Sequence, residues 1–325
     1  MSNFDEMEYV RCGNSGLKLP RMALGAWYSF GENDAYENMR ELVMTAFEHG
    51  ITYFDLANNY GPQNGQAEIN FGKILKQDFS GRRNQLVIAT KAGHKMWEGP
   101  YGDGGSRKYL LTSLDESLER LGVDYIDIFY HHRYDAETPI EETMLALKQM
   151  VDSGKVLYVG ISKYPLEALH EALRIAKEIR LPLIVGQYRI SMLVQDVFEN
   201  GIYDACREAG VGTVAFSALS QGLLTDKYLH GIPEGSRMDK DNRFLKKESL
   251  TPQLIEALKQ LNAIATRRNQ SLAQLALQWV LAKDVECIIL GASRSSQIED
   301  SLKAIKDPKL TASELDEIAE IISKL

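Results

Sequence analysis

The sequence predicts an α/β fold: one (β/α)8 barrel with an N-terminal β-hairpin and a long loop after the seventh strand. Three observations carry that prediction. Eight short, apolar, β-branched-rich runs alternate with amphipathic stretches, the pattern of parallel strands buried on both faces by helices. Several of the helical stretches end on a glycine just before the next apolar run, where a left-handed residue stops a helix. No run is followed by G-x-G-x-x-G, so the dinucleotide fingerprint of the open-sheet alternative is missing.

In order, the runs are 22–26 (MALGA), 51–56 (ITYFDL), 86–90 (LVIAT), 125–130 (YIDIFY), 156–161 (VLYVGI), 182–187 (PLIVGQ), 211–216 (VGTVAF) and 285–290 (VECIIL). Met39, Leu42, Val43, Ala46 and Phe47 make one apolar stripe at helical spacing before Gly50 and the second run. Leu110, Leu114, Leu118 and Leu121 repeat it before Gly122 and the fourth run. Ile140, Met144, Leu147 and Val151 lead to Gly154, and Ile202, Cys206 and Ala209 lead to Gly210. Residues 8–20 read as a hairpin turning at Asn14–Gly16. Ser217 to Pro252, rich in Gly, Lys and Asp, breaks the rhythm, and loops of that length in compact domains are usually functional. A last amphipathic helix is expected over 312–322, with Leu315, Ile318, Ala319 and Ile322 on one face.

The chain has 325 residues, about twice the usual span of roughly 150 residues per domain. A barrel, however, uses about 250 residues around one core, so residues 1–325 are expected to form a single domain. Composition is that of a soluble globular chain, 44% hydrophobic and 25% charged. No apolar run reaches the roughly 20 residues that span a bilayer, and Met1 to Arg11 lacks the character of a signal or transit peptide. A cytoplasmic protein without membrane insertion is expected. A net charge of −8 argues against nucleic-acid partners, while leaving room for one phosphorylated cofactor in a locally basic pocket. Cys12, Cys206 and Cys287 lack metal or disulfide spacing and are expected to be buried, inert thiols.

Barrel chemistry sits at the C-terminal ends of the strands. Those positions carry Asp55, Lys91, His132, Ser162, Gln187 and Phe216, with Tyr60 in the loop after the second strand. Singly, each has an ordinary structural explanation; neighbouring His131 is the better candidate for a purely structural histidine. Together, Asp, Lys, Tyr and His form a device for a tyrosine general acid. An ammonium is expected to lower the phenol's pKa from its usual value near 10, a carboxylate to hold the lysine charged, and the histidine to share the tyrosine's target oxygen.

The segments 54–61 (FDLANNYG), 90–93 (TKAG), 124–133 (DYIDIFYHHR), 159–164 (VGISKY), 186–191 (GQYRIS), 216–228 (FSALSQGLLTDKY) and 291–302 (GASRSSQIEDSL) resemble the aldo-keto reductases, over nearly the whole chain. Segments 24–31 and 227–237 are most similar to the branch containing potassium-channel β-subunits and their bacterial reductase relatives. The resemblance implies Tyr60 as proton donor, Asp55 and Lys91 as its tuning pair and His132 as catalytic histidine, with no metal. Channel β-subunits carry asparagine in place of that histidine, so the intact tetrad favours a working enzyme.

The resemblance also implies NADP(H). Ser162 and Gln187 would hold the carboxamide, joined by Lys163 where many members have asparagine, and Phe216 would stack on the nicotinamide. Ala26, Trp27, Asn33 and Asp55 would line its entrance. Ser217, Leu219, Lys227 and Arg237 would meet the pyrophosphate. Gly291, Ser293 and Gln297 would meet the 2′-phosphate at a helix N-terminus, with Arg294 as an added cation. Asp300 and Ser301, in place of a Glu-Asn pair, would lie near the adenine. Trp27, Phe30, Tyr60, Trp97 and His132 are expected to surround a small carbonyl substrate, in a pocket left open by the short tail after the last helix. Nothing in the sequence opposes a homo-oligomer. The implied activity is NADPH-dependent reduction of small aldehydes and ketones. The alternatives are an NADP(H)-sensing subunit with little catalysis and, more remotely, a barrel isomerase or aldolase using Lys91 as a Schiff base.

Overall fold

The eight apolar runs become eight parallel strands closed into a barrel in the order of the sequence. The computed structural model describes residues 3–61, 63–234, 236–240 and 245–325, and only the backbone of Asn3, Arg237 and Lys240. After the hairpin strands β1 (Tyr9–Arg11) and β2 (Lys18–Pro20), the barrel runs β3 (Met22–Gly25), β4 (Tyr53–Asp55), β5 (Val87–Ala92), β6 (Ile126–His131), β7 (Val156–Ser162), β8 (Leu183–Arg189), β9 (Gly212–Phe216) and β10 (Cys287–Leu290). Closure comes from β10, which pairs β9 on one side and β3 on the other, with Ile288 opposite Met22. The run 51–56 shortens to three residues in the ladder, because Ile51 and Thr52 lead in below it.

The helices form the outer ring. In α1 (Tyr36–Glu48), Met39, Leu42, Val43, Ala46 and Phe47 are all buried, the stripe expected from spacing. The others are α2 (Gln66–Asp78), α3 (Arg107–Leu121), α4 (Ile140–Asp152), α5 (Leu166–Glu178), α6 (Asp196–Glu199), α7 (Ile202–Glu208), α8 (Arg237–Lys240), α9 (Pro252–Arg267), α10 (Leu272–Ala282), α11 (Ser295–Lys306) and α12 (Ala312–Ile322). Gly50, Gly122, Gly154 and Gly210 follow their helices with φ of 81°, 65°, 75° and 71°, the left-handed turns that glycine makes without steric cost. Three helices, the short α8 followed by α9 and α10, connect β9 to β10 among the described residues.

The segment expected to be irregular, Ser217 to Pro252, carries several short helical turns. Leu223, Leu224, Tyr228, Leu229, Met238 and Leu245 anchor its described residues in the core. Its described residues are therefore tethered to the barrel.

Inside the barrel, Tyr53, Ala89, Ile128, Tyr130, Val185, Val214 and Cys287 pack together, and Cys12 and Leu19 of the hairpin close the cluster from below. The hairpin is held by backbone contacts far along the chain: Asn14 N–H donates to the Gly210 carbonyl at 2.8 Å, and the Arg21 guanidinium to the Val285 carbonyl at 2.8 Å. Gly13 lies so close to this floor that a Cβ there would meet the Gly210 oxygen at 2.1 Å. All three cysteines are free and buried, as expected; burial pushes the Cys206 thiol up to about 12. Among the described residues no helix is long and apolar enough to cross a membrane.

Candidate active site

Side chains alternate along a strand, and this alternation builds the site. Tyr53 and Asp55 point into the barrel from β4, and Lys91 enters from β5, paired in register with Tyr130 of β6. Two residues beyond Tyr130, His132 keeps the inward phase. His131 has the opposite phase; its Nδ1 lies 2.6 Å from the Tyr164 hydroxyl, and burial lowers its pKa to about 4. It is the structural histidine the sequence suggested.

The centre is a buried ion pair. Lys91 Nζ donates to Asp55 Oδ2 at 2.5 Å and to the Leu56 carbonyl at 2.7 Å, with no exposed surface on the lysine side chain. Asp55 Oδ1 accepts from Gln187 Nε2 at 3.0 Å, and the Tyr53 hydroxyl lies 3.4 Å from the same oxygen and 2.9 Å from the Tyr130 hydroxyl. These contacts satisfy the pair, as burial of two charges requires. Burial lowers the Lys91 pKa, against the opposing pull of Asp55 and Glu68.

Tyr60, half-buried, sits above the pair with Lys91 Nζ 5.0 Å from its ring centroid. A turn fixes it: Tyr60 N–H donates to the Ala57 carbonyl and its own carbonyl accepts from Ala67 N–H. One expectation is corrected here. The phenol's pKa is raised well above its usual value, by burial and then by the Asp55 carboxylate. Lys91, paired with Asp55 at 2.5 Å, does not offset these two effects. The resting site therefore holds Tyr60 protonated.

The His132 ring stands edge-on to Tyr60, centroids 5.7 Å apart, and to His94, 4.5 Å apart. Burial, then the positive charges around it, hold His132 well below its usual pKa. Its Nδ1 is buried with no partner. A proton there would be an unsatisfied buried donor, so the neutral ring keeps its proton on Nε2. His94 was missed by sequence reasoning. It lies three residues after Lys91, a lone histidine in a loop, with no periodicity to single it out. Tyr53 and Tyr130 were missed as well, although their spacing of two from Asp55 and His132 is a readable signal.

The expected cofactor residues fall into two groups. At one side of the mouth, Ser162 and Gln187 are register partners on β7 and β8, and Phe216 ends β9 with its ring half-buried. The Ser162 hydroxyl donates to the Gln187 carbonyl at 2.9 Å. Lys163 Nζ is 5.7 Å from the Phe216 ring centroid and 3.5 Å from His94 Nε2. Ala26 is buried, and its N–H donates to the Asp55 carbonyl; Asn33 is exposed in the following loop. Ser217 has φ of 57°, Leu219 packs on the core, and Lys227 is exposed. The side chain of Arg237 lies outside the described residues.

The second group, at the start of α11, differs from expectation. The Gln297 Oε1 accepts from Ser293 N–H at 2.8 Å and from Arg294 N–H at 3.3 Å, so these amides are already capped rather than free for an anion. Asp300 faces α10, accepting from Gln274 Nε2 at 2.8 Å. The Ser301 hydroxyl donates to its own helix at the Gln297 carbonyl, 2.7 Å away. Gly291, Ser293 and Arg294 are exposed beside them.

Of the expected substrate wall, Trp27 and Trp97 are 38% and 37% exposed. Phe30 is corrected: it is 1% exposed, packed in the core between barrel and helices. Its place beside Asn70, which donates to the Phe30 carbonyl at 3.1 Å, turns the segment inward.

Comparison with known proteins agrees with this geometry. The model of the aldo/keto reductase family matches residues 21–323. The L-glyceraldehyde 3-phosphate reductase of Escherichia coli (strain K12) is 47% identical over 324 residues, covering 98% of this chain and 94% of its own. A probable voltage-gated potassium channel subunit beta of Arabidopsis thaliana is 35% identical, covering 97% of each chain. Among solved structures, the holo form of an aldo-keto reductase from Bacillus halodurans superposes with a TM-score of 0.79 at 28% identity, covering 97% of this chain and 96% of its own. With a closed eight-stranded barrel and the Asp55–Lys91 pair set beneath Tyr60 and His132 at its mouth, the chain belongs to the aldo/keto reductase family and is an oxidoreductase.

Proposed function

We propose that this chain reduces small aldehydes and ketones to alcohols with NADPH, Tyr60 supplying the proton. The observation that carries the reading is the buried Asp55–Lys91 pair beneath a phenol held in its protonated form. The residues at β7, β8 and β9 suit a nicotinamide. Phe216 offers a half-buried apolar face, while Ser162 and Gln187, adjacent in register, offer polar groups for a carboxamide. Lys227 and Arg294 are exposed cations available to the phosphates. When bound, NADPH would supply the hydride that reduces the carbonyl carbon.

The protein's own part is polar. The neutral His132 donates from Nε2 to the substrate oxygen, and Tyr60 donates from its hydroxyl to the same atom, where negative charge develops in the transition state. Tyr60 then transfers its proton; its raised pKa keeps the phenol protonated until the substrate oxygen becomes basic enough to take the proton. Asp55 and Lys91 keep a compensated charge pair beneath the phenol. Gln187 and Tyr53 hold the carboxylate in place.

The test is NADPH consumption with a panel of small aldehydes, including three-carbon ones of the kind named for the Escherichia coli relative. Wild type turns them over. Tyr60→Phe loses on the order of 10³-fold in kcat with NADPH affinity near wild type. Binding without turnover on any carbonyl would sink the reading in favour of an NADP(H)-sensing subunit. Borohydride trapping of a substrate on Lys91 would point instead to Schiff-base chemistry.

A further inference from the structure

We propose that Lys163 sets the balance between the reduced and oxidised forms of the bound dinucleotide, favouring NADPH over NADP⁺ by holding a cation against the nicotinamide platform. The inference rests on the cofactor reading above. The two forms differ by a hydride on one ring, which leaves the reduced ring neutral and the oxidised ring positively charged. Phosphates, riboses and adenine are the same in both. Only charges close to the nicotinamide can therefore separate the two affinities by simple electrostatics.

The charges beside Lys163 are compensated, and the other cation at the platform, Arg189, is exposed at the end of β8 as the register partner of Phe216. Lys91 is paired with Asp55 at 2.5 Å, and Arg133 with Asp103 at 2.8 Å. The neighbouring imidazoles are uncharged at neutral pH: burial and adjacent cations lower His94 to about 4 and hold His132 well below its usual value. Among the described residues, Lys163 has no carboxylate within ion-pair reach; its Nζ contacts the His94 ring nitrogen and the face of Phe216. Desolvation by the surrounding mouth, then repulsion from Lys91 and Arg133, push its pKa down to about 8, although the residue is exposed to solvent. At neutral pH it remains mostly charged.

The backbone supports the placement. Lys163 follows Ser162 directly and adopts φ of 57°, a left-handed conformation that costs a non-glycine residue about 1 kcal/mol or more. That turn brings the ammonium back over the end of β9 instead of out along α5. A positive charge there repels the oxidised ring and leaves the reduced ring unaffected.

The experiment is a pair of fluorescence or calorimetric titrations, NADPH and NADP⁺, on the full chain at pH 7 and low salt, for wild type and three variants. For Lys163→Met and Lys163→Gln the ratio Kd(NADP⁺)/Kd(NADPH) is expected to fall about tenfold, the scale of one charge at such a distance in a partly hydrated site. Lys163→Arg is expected to keep the wild-type ratio. Glutamine retains hydrogen bonding without charge, so it separates electrostatics from simple contact. An unchanged ratio in both neutral variants, or equal weakening of both cofactors, overturns the inference and leaves the reductase reading standing. Failure of the wild type to bind either dinucleotide overturns both.

Discussion

Gly50, Gly122, Gly154 and Gly210 turn the chain from helix to strand at the floor of the barrel, all with positive φ. At the mouth, Lys163 and Ser217 make comparable left-handed turns directly after β7 and β9, with φ of 57° each. Arg180 and Asp284 are the floor's own exceptions. The backbone requirement is the same, and the residues differ because of what the side chain does there. At the floor a side chain beyond hydrogen adds nothing: at Gly210 it would strike Asn14 of the hairpin, and at Gly13 it would strike the Gly210 backbone. At the mouth the Lys163 side chain faces the Phe216 ring, and the local cost of a strained φ is tolerated. Stability is concentrated below, and chemistry above.

Four substitutions probe that division, beginning with the largest effect. Lys91→Met leaves the Asp55 carboxylate buried without its cation, and removing one partner of a buried pair costs about 3–5 kcal/mol. Urea denaturation should show that loss together with loss of turnover. A loss under 1 kcal/mol would mean that Gln187 and Tyr53 alone hold the carboxylate. Gly13→Ala forces a Cβ to within 2.1 Å of the Gly210 oxygen and should destabilise by about 2 kcal/mol, the scale of overpacking, with turnover at saturating substrate unchanged. A fall in kcat would show that floor and mouth are coupled. The smallest effect is a pair of opposite signs. Gly122→Ala should destabilise and Lys163→Gly should stabilise, each by about 1 kcal/mol, as read by thermal unfolding. If Lys163→Gly stabilises nothing, its left-handed backbone is not a stored cost.

Much of this molecule could be read from spacing alone. The barrel followed from strand-length apolar runs and terminal glycines because periodicity and backbone stops are local properties. Asp55, Lys91 and His132 could be placed because strand ends define the mouth, and the alternation of side chains separates His132 from His131. What spacing does not contain is how side chains satisfy one another. Gln297 folds back to cap Ser293 and Arg294, and Asp300 turns to Gln274; both depend on rotamers set by neighbours distant in sequence. Phe30 looks like a wall residue until the Asn70 contact draws its segment into the core. The direction of the Tyr60 shift depended on a competition between desolvation and charge. Proximity of Lys91 suggested one sign; burial and the Asp55 carboxylate decided the other.

The closure of the barrel also has a temporal side. Met22 lies opposite Ile288, and Asn14 is held by the Gly210 carbonyl. A nascent chain therefore makes its hairpin and first strand long before their partners exist. Until the last strand is synthesised, β3 has an unpaired edge. Contacts of such wide sequence separation slow folding and prolong the exposure of sticky edges. The price of an edge-free native state is a late, all-or-nothing final step, and the segment around residues 285–290 is where truncation should be most damaging to solubility.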